Sequence, residues 1–309
     1  MSISKSVRTP LRYPGGKSKA LRQIFAQFPT SFQTYREPFV GGGSVFIELK
    51  KLNPDLPIWI NDLNPDVYYF WKCAQSQLTE FTQTVRDIKH TCNDGRGLFQ
   101  ELATVDVDRL SDLERAVRFF VLNRITFSGT IEAGGYSQKS FEQRFTDSSI
   151  DRLSALSPVL DGVKITNLDY SELLQDDEDS KGDREACGNR DRSFIFLDPP
   201  YLSATKSKLY GKRGHYHSSF DHDRFAQLLQ RCPHLWLITY DDCPEVRENF
   251  QFAQIYEWEL QYGMNNYKQD KANKGSELFI SNYSLGEISQ ELGDRHPEKL
   301  SLVVCLINP

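Results

Sequence analysis

Short apolar segments alternate with helical patterns along most of this chain. Seven segments rich in Ile, Val, Phe, Trp or Tyr have the length of buried strands and are bounded by turn residues; they are 34–40, 57–62, 163–168, 194–198, 235–240, 255–262 and 278–283. Helical patterns fall between several of them, at 44–52, 65–77, 221–230 and 245–250. Such alternation is typical of βαβ units, so the sequence predicts an α/β fold with a mostly parallel sheet.

The middle of the chain has a different pattern. No clear strand is visible from about residue 71 to 160, and 112–127 carries apolar residues at the 3/4 spacing of an amphipathic helix. We therefore predict a discontinuous α/β domain, residues 1–71 and 161–309, interrupted by a helical subdomain at 72–160.

The charge is unevenly distributed. The chain has 37 Lys and Arg against 42 Asp and Glu, a net charge of −5 that taken alone disfavours a nucleic-acid partner. However, no acidic residue precedes Glu37, and a second acid-free window, 202–220, contains Lys206, Lys208, Lys212 and Arg213. These two cationic segments predict a local anion-binding face, with ordinary solvated charges as the alternative.

The sequence shows no signal for a membrane, for secretion or for a metal. No apolar run approaches the roughly 18–20 residues of a membrane helix, and the N-terminus lacks the apolar stretch of a signal peptide. The six cysteines form no C-x-x-C pair. We therefore expect no zinc or disulfide framework, no bound metal, and a reducing cytoplasmic environment.

A glycine loop joins the first predicted strand to the first long helix. Gly41-Gly42-Gly43 would let the backbone approach a ligand closely and leave helix N–H groups free to bind it. The dinucleotide pattern G-x-G-x-x-G is not met, because Phe46 stands where the last glycine is required. The loop predicts a nucleotide-like ligand other than NAD, with a purely structural turn as the alternative.

Asp62 ends the second predicted strand. A carboxylate at this position of a doubly wound sheet commonly binds ribose hydroxyls. The alternative is a cap for the following helix, for which Asn64-Pro65 is the better candidate. We therefore predict that Asp62 binds a ribose.

A third motif, Asp198-Pro199-Pro200-Tyr201, directly follows an apolar strand. Two prolines cannot continue a central strand, so the chain must turn there. A carboxylate and a fixed carbonyl would accept the two hydrogens of a flat amine, while the aromatic ring stacks on the attached base. A strand-end turn with Asp198 as a cap is the alternative.

In this order the motifs resemble those of the Dam-like (D12 class) DNA adenine-N6 methyltransferases. The resemblance covers most of residues 10–285 and rests on RYPGGK (12–17), EPFVGGGSVF (37–46), NDLNPD (61–66), ITNLDY (165–170), DPPY (198–201) and GSELFISNY (275–283). It implies a Rossmann-like S-adenosylmethionine-dependent methyltransferase sheet, with 72–160 as the inserted target-recognition subdomain. The implied reaction moves a methyl group from S-adenosylmethionine to the N6 amino group of an adenine flipped out of double-stranded DNA.

The resemblance also assigns roles to residues. The implied catalytic residues are Asp198, Pro199 and Tyr201. The implied cofactor-binding residues are Tyr13, Lys17, Phe39, Gly41, Gly43, Ser44, Asp62, Asp169, Tyr170 and Asp198. The candidate DNA contacts are Arg124, Ser128, Gln138, Lys139, Arg144, Lys206, Lys208, Lys212 and Arg213, each with a solvated side chain as the alternative. GATC-specific relatives carry an N-G-L-x-R-like run where this chain has Ser128-Gly129-Thr130, so the resemblance does not extend to GATC specificity.

The expected partner is double-stranded DNA, and no association with a membrane is expected. The resemblance further implies a cytoplasmic, nucleoid-associated, bacterial or phage-encoded protein, monomeric or weakly dimeric, with a cognate restriction endonuclease that forms no stable complex with it. One alternative is an RNA or amide methyltransferase of the same fold, although protein-glutamine enzymes usually carry Asn where Asp198 stands. Another is a non-catalytic or partner-dependent DNA-binding subunit, which the intact DPPY motif and glycine loop disfavour.

Overall fold

The computed structural model describes residues 7–131, 134–175, 193–202, 220–261 and 274–285. The chain divides into two compact units. Of the described residues, the first unit comprises 7–16, 40–131 and 134–169, and the second comprises 17–39, 170–175, 193–202, 220–261 and 274–285. The predicted division into 1–71 with 161–309 and an inserted 72–160 remains a prediction.

The described residues contain seven strands: β1 (Thr34–Glu37), β2 (Ile58–Asn61), β3 (Lys164–Thr166), β4 (Ser193–Leu197), β5 (Leu235–Asp241), β6 (Gln254–Gln261) and β7 (Lys274–Ser281). They contain these α-helices: α1 (Leu21–Ala26), α2 (Ser44–Leu52), α3 (Pro65–Ser76), α4 (Leu78–Thr91), α5 (Gly95–Thr104), α6 (Asp112–Ile125), α7 (Gln138–Arg144), α8 (Asp147–Ser154), α9 (Ser157–Leu160), α10 (His222–Gln230) and α11 (Pro244–Asn249). Each predicted strand overlaps an observed one, and the mixed α/β class is confirmed.

The strands of the second unit pair in the order β1-β4-β5-β7-β6. β1 pairs with β4 and β4 with β5 in parallel, whereas β7 runs antiparallel to both β5 and β6. Every residue of β4 is buried, as expected of a strand in the middle of a parallel sheet. Parallel pairing places the carboxyl ends of β4 and β5 at one edge of the sheet, where Asp198 and Asp241 lie.

The first unit contains the parallel pair β2–β3 and most of the helices. Among the described residues between β2 and β3, the β-type pairing is limited to one isolated bridge between Thr126 and Tyr136. Helix α6 begins with a capping box in which Ser111 and Glu114 each accept from the other's backbone N–H. It packs against α3, and the Phe70 and Phe120 rings stack with centroids 6.1 Å apart. The predicted helix at 112–127 is confirmed to within two residues at its end.

No helix of the described part of the chain is long and apolar enough to cross a membrane. Within the same residues, no group of three or more His, Cys, Asp or Glu side chains is arranged to hold a metal ion.

Candidate active site

The glycine loop of the first unit lies against Tyr13. Gly41 and Gly43 have φ angles of 44° and 69°, in the left-handed region that favours glycine. A Cβ added to Gly41 would lie 2.7 Å from Cε1 of the Tyr13 ring. Helix α2 begins immediately after the loop with no side-chain cap, because its N-cap is Gly43. The first turn of α2 therefore offers backbone N–H groups to a ligand.

Asp62 is tied to this loop. Its Oδ2 accepts a hydrogen bond from the Gly41 N–H at 2.9 Å, and its Oδ1 accepts one from the Asn64 N–H at 2.9 Å. Burial raises the pKa of the Asp62 carboxyl to about 6, against the lowering effect of these two bonds. The helix cap is provided by Asn64, whose side chain accepts from the Asp66 N–H at 2.9 Å.

Two exposed leucines flank the acidic residues at the ends of β2 and β3. Leu63 follows Asp62 and is 51 % exposed, while Leu168 precedes Asp169 and is 40 % exposed. The Asn167 side-chain amide donates to the backbone carbonyls of Asp62 and Leu63 at 2.7 and 3.0 Å. Exposed apolar side chains beside a carboxylate provide a surface on which a flat ring can rest.

In the second unit, the carboxylate of Asp198 is held on one oxygen. Oδ1 accepts from the Lys17 ammonium at 2.8 Å and from the Thr239 hydroxyl at 2.9 Å. Among the described residues, Oδ2 forms no hydrogen bond or ion pair. The Lys17 side chain is almost fully buried, whereas that of Asp198 is 24 % exposed. One carboxylate oxygen is thus fixed by the protein and the other is left for a ligand.

Tyr201 lies next to this ion pair. The Lys17 ammonium is 4.9 Å from the centroid of the Tyr201 ring, and the Tyr240 ring stacks at 5.9 Å. The Tyr201 hydroxyl donates to Glu277 Oε2 at 3.0 Å. Burial, followed by the Asp198 and Glu277 charges, raises the pKa of Tyr201 well above its ordinary value.

Two further cofactor candidates of the second unit lie in an aromatic group. The rings of Phe39 and Tyr170 are 5.5 Å apart, and both contact Phe220 and Phe225. Tyr170 is buried, so its contribution to a ligand pocket would be mainly apolar.

Sequence reasoning missed the roles of Thr239 and Glu277. Thr239 lies in a buried strand with no motif to single it out. Glu277 lies within GSELFISNY, where one carboxylate in an apolar strand is the signal that could have identified it. Lys17 was predicted near the cofactor, and the structure pairs it with Asp198.

The predicted DNA-binding residues of the first unit differ in exposure. Gln138, Lys139 and Arg144 are exposed on α7, and Ser128 is partly exposed with a φ of 56°. Arg124 is buried at 2 % exposure, so in this structure it does not present the surface donor expected of it. The four remaining candidates, Lys206, Lys208, Lys212 and Arg213, lie outside the described residues.

Arg124 is buried because its helix is covered on more than one side. Its Nη2 donates to Asn123 Oδ1 at 3.2 Å, and its guanidinium lies 5.8 Å from the Phe120 ring. Burial and the charges of Arg12, Arg152 and Arg144 lower the pKa of Arg124 to about 9.

Asn123 joins the RYPGGK motif to the end of α6. Its Oδ1 accepts from the Arg12 N–H at 2.9 Å, and its Nδ2 donates to the carbonyls of Arg12 and Gly129 at 2.8 and 3.1 Å. The adjacent turn displays Phe127, which is 69 % exposed.

Comparison with known proteins identifies one family over most of the chain. The family model described as D12 class N6 adenine-specific DNA methyltransferase matches residues 13–264. The matched residues include the glycine loop, the end of β2 and the DPPY turn.

The relatives have low sequence identity to this chain, and two of them match it over most of its length. The type II methyltransferase M1.LlaDCHI of Lactococcus lactis subsp. cremoris is 22% identical over 293 residues, which is 90% of this chain and 96% of the relative. The type II methyltransferase M.MjaIII of Methanocaldococcus jannaschii is 23% identical, covering 90% of this chain and 99% of the relative. The DNA adenine methylase of Escherichia coli K12 is 31% identical over 129 residues, 40% of this chain and 43% of that protein.

Proposed function

Because the chain belongs to the D12 class of N6 adenine-specific DNA methyltransferases, we propose that it methylates adenine flipped out of double-stranded DNA, with S-adenosylmethionine as donor. Adenine-specific DNA methyltransferase activity follows from the family. The observation that carries the proposed site is the Asp198 carboxylate, whose Oδ1 is held by Lys17 and Thr239 and whose Oδ2 forms no hydrogen bond or ion pair among the described residues.

The residues of the first unit fit S-adenosylmethionine. A cradle that a Cβ would fill lies between Gly41 and Tyr13, and the uncapped start of α2 offers N–H groups for the donor's carboxylate. Each Asp62 oxygen accepts one backbone bond, which leaves lone pairs for ribose hydroxyls. When bound, S-adenosylmethionine supplies an activated methyl group on a sulfonium.

The remaining cofactor candidates support this assignment by their position in the chain. Ser44 is the first residue of α2. Asp169 and Tyr170 follow β3, and Phe39 precedes the glycine loop. Their roles toward the donor are part of the proposal.

Asp198 would bind the amine that receives the methyl group. The lone pair of the adenine N6 is delocalised into the ring, so the free amine is a poor nucleophile. Hydrogen bonds from N6 to Asp198 Oδ2 and to the Pro199 carbonyl would favour a pyramidal nitrogen with a localised lone pair. Positioning and electrostatics then lower the barrier without a metal ion. Tyr201 would stack on the base.

DNA binding is supported by the exposed residues of the first unit. Gln138, Lys139 and Arg144 are available for phosphate or base contacts on α7. The exposed Phe127 ring is of the kind that inserts between base steps and opens the stack. Arg124 is omitted from this set because of its burial.

The test is methyl transfer from labelled S-adenosylmethionine to unmethylated duplex DNA, followed by identification of the modified nucleoside. We expect N6-methyladenine with the unaltered chain and a loss of at least about a thousandfold in rate with Asp198→Ala. Asp108→Ala, at an exposed carboxylate, is the matched control. Label in RNA or protein but not in DNA would refute the proposal, as would substantial activity of a folded Asp198→Ala variant.

A further inference from the structure

Glu277 is a buried carboxylic acid that the proposed chemistry has not used. It lies on β7, opposite Asp241 of β5 in the antiparallel register. The residue is 1 % exposed, and its Oε2 accepts from the Tyr201 hydroxyl at 3.0 Å. Its Oε1 is buried and has no hydrogen-bond partner among the described residues. A carboxyl in this position needs an explanation, because an unpaired buried polar atom costs stability.

The surroundings favour the uncharged form of Glu277. Burial raises the pKa of its carboxyl to about 7; the Lys17 charge opposes this shift, and the Asp198 charge reinforces it. An ionised Glu277 would leave a charged oxygen buried without a partner and place a second negative charge near Asp198.

We propose that Glu277 is a positioning residue of the amine-binding site. It fixes the Tyr201 ring by accepting a hydrogen bond from the Tyr201 hydroxyl, and in its uncharged form it does not compete with Asp198 for the Lys17 ammonium. The inference rests on the proposed function, since it concerns the same Asp198 and Tyr201.

Fixing Tyr201 matters because its ring is attached to the backbone at one end only. The hydroxyl bond to Glu277 holds the other end. A ring already held in place loses less conformational freedom when a base stacks on it, and the amine is then presented to Asp198 in a narrower range of orientations.

The charge of Glu277 matters because Lys17 serves Asp198. The 2.8 Å contact between the Lys17 ammonium and Asp198 Oδ1 fixes the carboxylate whose other oxygen would bind the amine. A second anionic carboxylate would compete for the same ammonium and disturb that orientation. Ionisation of Glu277 is therefore expected to slow methyl transfer.

The other titratable groups around Glu277 can be distinguished from it by the pH at which they titrate. The charged or titratable neighbours are Lys17, Asp198, Tyr201 and Asp241, with His222 next in line through its bond to the Tyr240 hydroxyl. Burial lowers the pKa of His222 below its ordinary value of 6.5. Its titration therefore lies on the acid side of that of Glu277, and the pKa of Tyr201 lies far on the alkaline side.

The experiment measures the single-turnover rate of methyl transfer to duplex DNA from about pH 5.5 to 8.5. For the unaltered chain we expect a rate that falls as the pH rises through about 7, the pKa of Glu277. Glu277→Gln keeps a hydrogen-bond acceptor for Tyr201 but cannot ionise, so its rate at low pH should stay within about threefold and the fall above pH 7 should vanish. Glu277→Ala should lose at least about tenfold at every pH, because the ring is released.

Tyr201→Phe separates the two parts of the proposal. It removes the hydroxyl bond while leaving Glu277 to titrate, so its rate should be reduced yet still fall above pH 7. Thermal melts of each variant establish that it is folded, and Glu277→Gln decides the question if Glu277→Ala does not fold.

Two results would overturn the inference. One is a Glu277→Gln variant whose rate still falls through pH 7 as in the unaltered chain. The other is a folded Glu277→Ala variant with full activity. Absence of DNA methylation by the unaltered chain would instead overturn the proposed function.

Discussion

Substitution of Gly41 by alanine tests whether the glycine loop and Tyr13 form a ligand-binding cradle. At its φ of 44°, an L-residue costs about 1–2 kcal/mol relative to glycine. The new Cβ would also lie 2.7 Å from Tyr13 Cε1 and 3.1 Å from Cδ1, so the ring must shift. We expect a total destabilisation of about 2–3 kcal/mol, within the range of a single disruptive substitution.

The same change should weaken the binding of S-adenosylmethionine. Movement of Tyr13 alters the cradle, and movement of the Gly41 N–H disturbs its 2.9 Å bond to the Asp62 carboxylate. A loss of about 1.4 kcal/mol in binding free energy is tenfold in Kd, and we expect at least that. Isothermal titration calorimetry measures the Kd, and urea denaturation measures the free energy of unfolding.

Gly162 offers a matched control. Its φ is 67°, but a Cβ there would meet no atom within 4 Å. Gly162→Ala should therefore cost the backbone term alone, about 1–2 kcal/mol, and leave the Kd for S-adenosylmethionine unchanged. Equal destabilisation by the two variants would refute the predicted clash with Tyr13. Unchanged affinity of Gly41→Ala would refute the cradle as the donor site.

Three further predictions concern stability and DNA. The pKa of Glu277 is raised from 4.5 to about 7 in the folded state. The folded chain is therefore stabilised when Glu277 is protonated, and this stabilisation is lost as the pH rises from about 4.5 to about 7. At about 1.4 kcal/mol per pKa unit, the free energy of unfolding falls by about 3 kcal/mol. Glu277→Gln should accordingly be more stable than the unaltered chain in urea at pH 8. Asp66→Ala removes the partner of the buried Arg118 and of the partly buried Arg115, and should cost about 3–5 kcal/mol. Asp112→Ala, which breaks a surface pair with Lys72, should cost less than about 1 kcal/mol in the same assay. Phe127→Ala should reduce opening of the target base, measured by 2-aminopurine fluorescence, without lowering the melting temperature; an unchanged signal would contradict its insertion.

Sequence periodicity located the strands because each is short, apolar and bounded by turn residues. The DPPY turn was placed correctly at the end of a strand, since two prolines cannot continue a ladder. The antiparallel direction of β7 was not predicted. Direction depends on which strands pair over long distances, and the composition of an isolated strand does not record it.

The same long-range pairing determines the residues around Asp198. Thr239 reaches it from β5, and Glu277 lies opposite Asp241 through the β5–β7 register. A shift of one residue in that register would turn Glu277 to the other face of the sheet. A single sequence does not specify such a register, so these two roles required the structure.

Arg124 shows why the recognition surface was harder to predict. The spacing of apolar residues in 112–127 indicated a helix with one buried face. An arginine on the opposite face of such a helix would be exposed to solvent. In the structure, burial extends to every residue from Ala116 to Ile125. Helical periodicity does not distinguish a half-exposed helix from one that is covered all round by other elements.

A group of arginines in the first unit bears on the apparent conflict between a net charge of −5 and a DNA substrate. Arg12, Arg144 and Arg152 come from separate segments, yet the charge of each lowers the pKa of Arg124. No carboxylate among the described residues forms an ion pair with Arg124, and its Nε is buried without a partner. Mutual repulsion among these cations destabilises the folded chain, and nearby phosphates would offset it. We therefore expect DNA binding to depend on this local positive potential, which the net charge of the whole chain does not reveal.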